Sequence, residues 1–318
     1  MKKSIVVVGS INIDLVARVE RIPARGETIL GQELQTLCGG KGANQAVAAA
    51  RLGAPTTMIG KVGNDHFGRY LIENLIRVGV DSTHVETVPG SSGTALISAT
   101  PAGENSIIVI PGANSHLLPE DLDQHKDELR SASMILAQLE SPLETVEHLA
   151  ALAESFGVPL VLDPAPARPL GDEILRAVTW FTPNETETCA FLRELGATEI
   201  NARSAPAVAK DILQLGVRNV ILKLGAKGVF IAGRDVAEQY IPGFSVEAVD
   251  STGAGDAFNG AFAFAVAIER RNPREAAEYA CAAAAVSVTR QGAQAAMAAR
   301  AEVEEFLHQN ASVRVASK

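Results

Sequence analysis

A repeated unit of helix, glycine and apolar strand constrains the fold of this chain more than any other feature. Three times, at 42–60, 142–162 and 205–224, a glycine ends a helical pattern and an apolar strand follows. The first strand, Ser4–Gly9, is apolar at successive positions, which is typical of a parallel strand buried on both faces. Such units predict an α/β fold with a mostly parallel, doubly wound sheet and helices on both of its faces.

Two segments interrupt that rhythm with the alternation of antiparallel strands. Residues 11–37 are rich in charge, have a two-residue apolar period and are broken by Pro23, Gly26 and Gly31, so we predict two or three strands there. Residues 93–110 contain two apolar runs on either side of a Pro-Ala-Gly-Glu turn, which is a hairpin signal. We expect one small sheet that covers one end of the larger domain.

Composition excludes several classes of protein. Over 318 residues the net charge is −9, which argues against a nucleic-acid or anionic-membrane surface, because both need clustered positive charge. Cys38, Cys189 and Cys281 lie far apart without CxxC spacing, so we expect thiols in a reducing compartment. No apolar run reaches the roughly 18 residues of a membrane span, and the N-terminal run breaks at Gly9, too early for a signal peptide. These features predict a cytoplasmic protein.

The segment 248–260, AVDSTGAGDAFNG, joins a turn of small residues to an apolar helix. Backbone N–H groups at a helix start bind anions, and the helix dipole adds to that preference. The turn Gly253–Gly255 would supply such an anion hole, and Asp256 beside it would accept a hydroxyl proton, as phosphoryl transfer requires. The same residues also suit a plain helix cap, and the segment alone favours neither interpretation.

Two early stretches carry polar groups suited to a sugar. In CGGKGANQA, at 38–46, glycines allow a ligand close to the backbone, and Lys41 and Asn44 lie in the first turn of a helix. After the first strand, Asn12 and Asp14 alternate with isoleucines and so share one side. In open α/β sheets, ligands gather at the carboxyl ends of the strands, where this segment lies. A helix start and an Asx turn are the structural alternatives.

Three later positions permit both a structural and a functional interpretation. Glu140 ends an apolar strand, where it would face a ligand or cap a helix. The segment TPNETE at 182–187 has the pattern of a capping box, and its Asn184 and Glu187 would also suit metal-bound phosphates. The turn Lys223–Gly228 suits a hairpin as well as a ligand contact. Known nucleotide-binding motifs do not decide between the two interpretations, because the chain has no Walker A loop or complete GxGxxG.

Taken in order, the motifs resemble the ribokinase-like carbohydrate kinase family over almost the whole chain. They are SINID at 10–14, GGKGANQAVAA at 39–49, AQLESPLE at 137–144, DPAPAR at 163–168, TPNETE at 182–187, KLGAKG at 223–228, VDSTGAGDAFNG at 249–260 and AVSVTRQGAQ at 285–294. In that family a Rossmann-like αβα sandwich carries a small β-sheet lid. The resemblance implies a single domain over 1–318, with lid strands inserted at about 12–38 and 93–111.

The resemblance also implies an activity, the transfer of phosphate from ATP to the 5-hydroxyl group of D-ribose. Asp256 would be the general base, and the N–H groups of Gly253, Ala254, Gly255 and Asp256 would hold the γ-phosphoryl group. Ribose would be bound by a set of residues from the two sugar stretches and the end of one strand, namely Asn12, Asp14, Gly40, Lys41, Gly42, Asn44 and Glu140.

Further roles follow from the same resemblance. The nucleotide would lie along Asn184, Lys223, Gly225, Lys227, Gly228, Gly255 and Cys281. Glu187 would lie near the Mg²⁺ that accompanies ATP. An activating K⁺ would be held near Asp250, Thr252, Ser287, Arg290, Gly292 and Ala296. Three of these positions depart from the family: Lys223 replaces a common Thr, Ala296 replaces a frequent Ser, and Cys281 can contact adenine only by packing.

Other substrates and a non-enzymatic role are the alternatives. Deoxyribose, fructose or a nucleoside such as adenosine would need the same chemistry, and a difference of one hydroxyl group cannot be resolved from motif spacing. A sugar-binding protein without catalysis is disfavoured, because Asp256 and its glycine turn are intact. Lids of this family pair, so the resemblance also implies a homodimer through the small sheet.

Overall fold

The structure is a computed structural model that describes residues 3–101, 103–192 and 200–315. Within these residues the strands are β1 (Ile5–Val8), β2 (Asn12–Arg18), β3 (Glu33–Gly39), β4 (Thr56–Gly63), β5 (Val80–Val88), β6 (Gly93–Ala99), β7 (Asn105–Ile110), β8 (Met134–Ala137), β9 (Leu160–Leu162), β10 (Trp180–Phe181), β11 (Asn219–Lys223), β12 (Gly228–Gly233) and β13 (Gln239–Pro242). The helices are α1 (Lys41–Arg51), α2 (His66–Arg77), α3 (Pro119–Gln124), α4 (Lys126–Ser131), α5 (Leu143–Phe156), α6 (Asp172–Ala177), α7 (Glu185–Phe191), α8 (Ala205–Gln214), α9 (Ala254–Ala263), α10 (Pro273–Ser287) and α11 (Arg300–Val315).

The large sheet has the order β13-β12-β11-β10-β9-β8-β1-β4-β5. Its strands from β11 through β5 pair in parallel, and β12 and β13 add an antiparallel edge. The predicted doubly wound, mostly parallel sheet is therefore confirmed.

Two apolar cores cover the two faces of this sheet. Ile5 and Val7 of β1 belong to one core, with side chains of α1, α9 and α10. The alternate residues Val6 and Val8 belong to the other, with side chains of α5, α6 and α8. Full burial of each such side chain stabilises the fold by about 1.5–3 kcal/mol, so β1 is fixed at the centre of the molecule.

The small sheet has the order β3-β2-β6-β7 and extends from the end of β1. The segment 11–37 contributes two strands, and the hairpin predicted at 93–110 is confirmed by the antiparallel register of β6 and β7. In this register Asn12 lies opposite both Gly39 and Gly93. One strand, β2, thus connects the centre of the large sheet to the small sheet.

Several elements differ from the sequence prediction. The strands β5, β10 and β13 and the helix α6 were not predicted, because β5 is mixed in polarity and the others are short. The helix predicted at 119–131 is two short helices, α3 and α4. The helix predicted from residue 257 begins at Ala254 and ends in a π-helical turn, Phe264–Ile268. The end predicted for the helix at 184–195 lies outside the described residues.

The carboxyl ends of the central strands bring the predicted site segments to one edge of the sheet. The chain after β1 leads to Asn12, the chain after β8 leads to Glu140, and β11 ends at Lys223. No helix in the described part of the chain is long and apolar enough to cross a bilayer.

Candidate active site

Asp256 lies in the first turn of α9 and is only 4 % exposed. Its Oδ2 accepts a hydrogen bond from Asn44 Nδ2 (2.9 Å), and its Oδ1 accepts one from Gln45 Nε2 (3.0 Å). Burial raises the pKa of Asp256 to about 6, while the charge of Lys41 opposes this shift and that of Asp163 adds to it. A carboxylate with this pKa is an effective proton acceptor near neutral pH.

The turn before Asp256 presents backbone donors to the same place. Gly253 has φ 74°, a left-handed conformation that favours glycine, and it caps α9. The Ala254 N–H donates to the Ser251 carbonyl oxygen (3.1 Å). Within the described ranges, the N–H groups of Gly255 and Asp256 have no acceptor. The free donors of the predicted anion hole therefore include Gly255 and Asp256, whereas Ala254 is occupied internally.

The predicted sugar residues line the approach to Asp256. Asn12 and Asp14 share one face of β2, as predicted, and both are buried. Asn114, which the sequence did not single out, donates from Nδ2 to Asn12 Oδ1 (2.6 Å) and accepts from the Ile11 N–H (2.9 Å). Burial, with the charges of Glu140 and Asp256, raises the pKa of Asp14 to about 7. A ligand with hydroxyl groups would supply hydrogen bonds to this carboxylate.

The glycine turn at the start of α1 passes directly against the chain that follows β1. Gly40 has φ 86°, and a Cβ added there would lie 2.6 Å from the Asn12 nitrogen. A Cβ added at Gly42 would lie 2.7 Å from the Ser10 nitrogen. Only glycine permits this approach, so these positions have a structural reason in addition to the predicted contact with a sugar.

Lys41 is surrounded by carboxylates. Its backbone N–H donates to Glu140 Oε2 (3.2 Å), which also accepts from Ser10 Oγ (2.5 Å). Burial disfavours the ammonium, but the charges of Asp256, Asp163 and other nearby carboxylates raise the pKa of Lys41 above its usual value. Lys41 is therefore a permanent positive charge beside the candidate base.

Asn44 presents an unsatisfied acceptor at this site. Its Nδ2 is used by Asp256, while its buried Oδ1 has no hydrogen-bond partner within the described ranges. A buried polar atom without a partner is costly unless a ligand or water satisfies it. This amide oxygen is therefore suited to accept from a bound hydroxyl group.

A buried polar network behind Asp256 was missed by the sequence analysis. Gln45 Nε2 donates to Asp163 Oδ2 (3.1 Å) as well as to Asp256, and Gln45 Oε1 accepts from Gln138 Nε2 (2.8 Å). Asp163 Oδ1 accepts from Lys223 Nζ (2.9 Å). The available signal was a glutamine within an Ala-rich helix and a carboxylate after a buried strand.

A cavity of about 500 Å³ adjoins the turn before Asp256. Six residues predicted to contact a nucleotide line it, namely Lys223, Gly225, Lys227, Gly228, Gly255 and Cys281. Apolar side chains such as Val246 and Phe258 form other parts of its wall. This size and lining suit a ligand with a planar apolar part and an anionic part.

Asn184 and Glu187 form the predicted capping box of α7. The Glu187 N–H donates to Asn184 Oδ1 (2.8 Å), and the Asn184 N–H donates to Glu187 Oε2 (2.8 Å). Asn184 also pairs with Lys223 in an isolated bridge, which places the box beside the end of β11. Burial and the charge of Asp163 raise the pKa of Glu187. A bound cation would stabilise the neighbouring carboxylates of Glu187 and Asp163.

Asp250 joins two loops next to the anion-hole turn. Its Oδ1 accepts from the Thr252 N–H (2.9 Å) and Oγ1 (2.6 Å), and its Oδ2 accepts from the Gly292 N–H (2.9 Å). Burial opposes its charge, but these hydrogen bonds lower the pKa of Asp250. Asp250, Thr252 and Gly292 are thus brought together, as the predicted cation site requires.

Other members of the predicted cation set have protein partners of their own. Ser287 Oγ donates to the Ala284 carbonyl oxygen (2.8 Å), and Arg290 forms an ion pair with Glu302 (2.6 Å). Ala296 lies in a short 3₁₀ turn and offers no side-chain oxygen. Any ligands from this part of the set would be backbone carbonyl oxygens.

The model of the pfkB family carbohydrate kinases matches residues 2–300. A ribokinase of Haemophilus influenzae is 43% identical over 308 residues, covering 96% of this chain and 99% of that protein. A deoxyribokinase of Salmonella typhi is 39% identical over 308 residues, with the same coverage of both chains. The structure of an Arabidopsis thaliana ribokinase complexed with ribose and ATP is similar with a TM-score of 0.88 and 34% identity, covering 96% of this chain and 99% of that one. This chain belongs to the pfkB family of carbohydrate kinases.

Proposed function

We propose that this protein is a ribokinase, which transfers the γ-phosphoryl group of ATP to the 5-hydroxyl group of D-ribose. The observation that carries the proposal is the position of Asp256. This buried carboxylate lies beside the N–H groups of Gly255 and Asp256, which have no acceptor among the described residues. Buried amides and carboxylates lie on one side of it, and a cavity of about 500 Å³ adjoins the turn before it. Full-length relatives named ribokinase support the choice of substrate.

Asp256 acts as the general base in this proposal. It removes the proton from the 5-hydroxyl group as the oxygen attacks the γ-phosphorus atom, and the bond from phosphorus to the bridging oxygen of ADP breaks. Asn44 and Gln45 orient the carboxylate through its two oxygens. The N–H groups of Gly255 and Asp256, with the turn Gly253–Ala254 that holds them, stabilise charge on the moving phosphoryl group.

Ribose binds on the sugar side of this base. Asn12, Asp14, Asn44 and Glu140 provide carboxylate and amide oxygens for its hydroxyl groups, and Lys41 provides a donor. The turn Gly40–Gly42 brings backbone close to the ring. The raised pKa of Asp14 supports this assignment, because a buried carboxylate that accepts no hydrogen bond from the described residues gains most from ligand hydroxyl groups.

ATP binds along the cavity in this proposal. Its phosphates lie toward Lys223 and Gly255, the turn Gly225–Gly228 with Lys227 follows the nucleotide, and Cys281 packs against the base. Asn184 and Glu187 lie near Mg²⁺, which when bound with ATP neutralises phosphate charge. In this proposal Mg²⁺ is held chiefly by phosphates, waters and one or two carboxylates, which is the coordination that it commonly has beside nucleotides.

A K⁺ ion near Asp250 and Thr252 would shape the anion-hole turn. The support is the close packing of the anion-hole turn against the loop that follows Gly292. A Cβ added at Gly253 would lie only 3.1 Å from Ala293 Cβ in that loop. Backbone oxygens near Ser287, Arg290 and Ala296 complete the proposed site. Equal activity in K⁺ and Na⁺ would remove this ion from the proposal.

Two further properties belong to the proposal. The small sheet acts as a lid over ribose, and it pairs with the sheet of a second copy to form a homodimer. Exposed apolar side chains on β6 and β7 support the pairing. We also place the protein in the cytoplasm, which the separated cysteines support.

Deoxyribose is the second candidate substrate, and the similarity to a deoxyribokinase at 39% identity favours it. Release of ADP, measured by a coupled assay with ribose, deoxyribose, fructose and adenosine, decides between the candidates. We expect the highest kcat/KM with ribose. If another substrate gave the highest kcat/KM, it would replace ribose in the proposal. Absence of turnover with all four substrates would contradict the proposal that the protein phosphorylates any of them.

A further inference from the structure

Lys223 and Asp163 form a buried ion pair at the boundary between the base and the cavity. Lys223 Nζ lies 2.9 Å from Asp163 Oδ1, and the two side chains are 11% and 3% exposed. Removing two charges from water costs more than a single such contact usually returns. A buried pair at this position therefore calls for an explanation beyond stability.

The ammonium of Lys223 faces the place where phosphate would be. A Cβ built on Gly255 would lie 3.3 Å from Lys223 Nζ, and Lys223 itself lines the cavity. Its donors are therefore beside the N–H groups of Gly255 and Asp256, which have no acceptor in the part of the chain that the structure describes. The hydrogen bond to Asp163 uses one N–H donor of the ammonium, which has three such donors in all.

Asp163 is held on its other side by the same amide that orients the base. Gln45 Nε2 donates to Asp163 Oδ2 (3.1 Å) and to Asp256 Oδ1 (3.0 Å). A continuous chain of contacts thus runs from Lys223 through Asp163 and Gln45 to Asp256. The position of the cation is fixed relative to that of the base.

We propose that Lys223 is a catalytic cation that contacts the γ-phosphoryl group during transfer, with Asp163 as its positioning residue. This inference rests on the proposed function. As the phosphorus–oxygen bond to ADP breaks and the bond to the sugar oxygen forms, Lys223 stabilises charge on the phosphate oxygens and transfers no proton. Lys41 supplies positive charge on the sugar side, so two lysines flank the anion hole.

The local charges favour such a cation. Asp256, Asp163 and Glu187 are close enough to shift one another's titration or that of Lys41. A phosphate chain entering this acidic region is repelled unless positive charge faces it. Lys223 already compensates part of that charge, since it favours the ionised form of Glu187.

The test compares Lys223→Met with the double variant Asp163→Asn/Lys223→Met. We expect Lys223→Met to lower kcat about 10²-fold while KM for ribose changes little, because the lost contact strengthens in the transition state. Lys210→Met on α8, which removes an exposed lysine, is the matched control and should leave kcat unchanged.

The double variant separates catalysis from charge compensation. It leaves no unpaired charge at either position, so it should fold even where the single variant does not. If Lys223 served only to neutralise Asp163, the double variant would recover wild-type kcat, and that result would overturn the inference. We expect it to stay as slow as Lys223→Met. Absence of turnover in the wild type would instead defeat the proposed function and this inference together.

Discussion

At the scale of single residues, burial and hydrogen bonding act on Asp256 in opposite directions. Burial raises its pKa, whereas donors from Asn44 and Gln45 favour the charged form. The balance leaves a carboxylate that is ionised near neutral pH and still basic enough to accept a proton. This balance makes the residue suitable for the role proposed for it, and it can be tested separately from substrate choice.

Replacement of Asp256 by Asn is expected to lower kcat by about 10²–10⁴-fold, the usual contribution of a general base. The amide keeps the shape of the side chain and can still bond one neighbour, so ribose affinity by calorimetry should change much less than kcat. Asp127→Asn, at an exposed position on α4, is the control. Turnover within a few-fold of wild type in Asp256→Asn would contradict the assignment of the base.

The pKa of Asp256 also predicts the pH dependence of the reaction. Because the deprotonated form is active, kcat/KM should fall as the pH decreases through about 6. Gln45→Leu removes a donor that stabilises the charged carboxylate, so the acid limb should move to higher pH. Gln124→Leu, at an exposed position, should leave the profile in place. A profile that is identical in Gln45→Leu and wild type would show that Gln45 does not act on the base.

The sequence could predict Asp256 and the residues of the sugar stretches because each lies in a recognisable turn or strand end. It could not predict Gln45, Asp163 and Asn114 as parts of the site. Their partners are far away in the chain: Gln45 is 211 positions from Asp256, and Asn114 is 102 from Asn12. Such contacts follow from the packing of elements, which local patterns do not contain.

At the scale of elements, close packing of α1 against α9 sets the geometry of the base. Asn44 and Gln45 belong to α1, whereas Asp256 belongs to α9. A Cβ added at Gly260 would lie 2.6 Å from Ala48 Cβ and 2.7 Å from the Gln45 carbonyl oxygen. The two helices can approach this closely only because Gly260 has no side chain.

Gly260→Ala is therefore expected to separate α1 from α9 and to weaken the hydrogen bonds to Asp256. We expect a loss of about 1–3 kcal/mol in the free energy of unfolding, as for other overpacked sites, together with a lower kcat. Gly171→Ala is the matched control, since a Cβ there meets nothing within 4 Å. Thermal unfolding and steady-state kinetics measure the two effects. An unchanged free energy of unfolding and an unchanged kcat in Gly260→Ala would show that the two helices can accommodate a Cβ at this position.

Element prediction succeeded where periodicity was strong and failed where it was weak. The helices α1, α2, α5 and α8 have clear apolar faces and terminal glycines, and all were predicted within a few residues. The strand β5 lies at the edge of the large sheet, where charged residues interrupt its apolar pattern. Its strand conformation depends on pairing with β4, which the local sequence does not specify.

At the scale of the whole molecule, the small sheet leaves an apolar surface uncovered. Leu96 of β6 and Ile108 of β7 are cross-strand neighbours on the face opposite to Asn12 and Asp14. Both are exposed, as is Leu34 of β3. The strand β7 is also an edge of its sheet, and exposed apolar edges normally pair or are covered.

Ile108→Asp is expected to convert the proposed homodimer into a monomer, because a carboxylate at the centre of an apolar interface would be buried without a partner. Ile76→Asp is a matched control, since Ile76 on α2 is equally exposed, at 61%. Sedimentation velocity at micromolar concentration measures the change in mass, and circular dichroism checks that both variants fold. A wild-type protein that sediments as a monomer, or an Ile108→Asp variant that remains a dimer, would exclude pairing through this face. Dissociation in Ile108→Asp alone would place the interface on the same small sheet that carries Asn12 and Asp14, so the dimer and the sugar site would share one element.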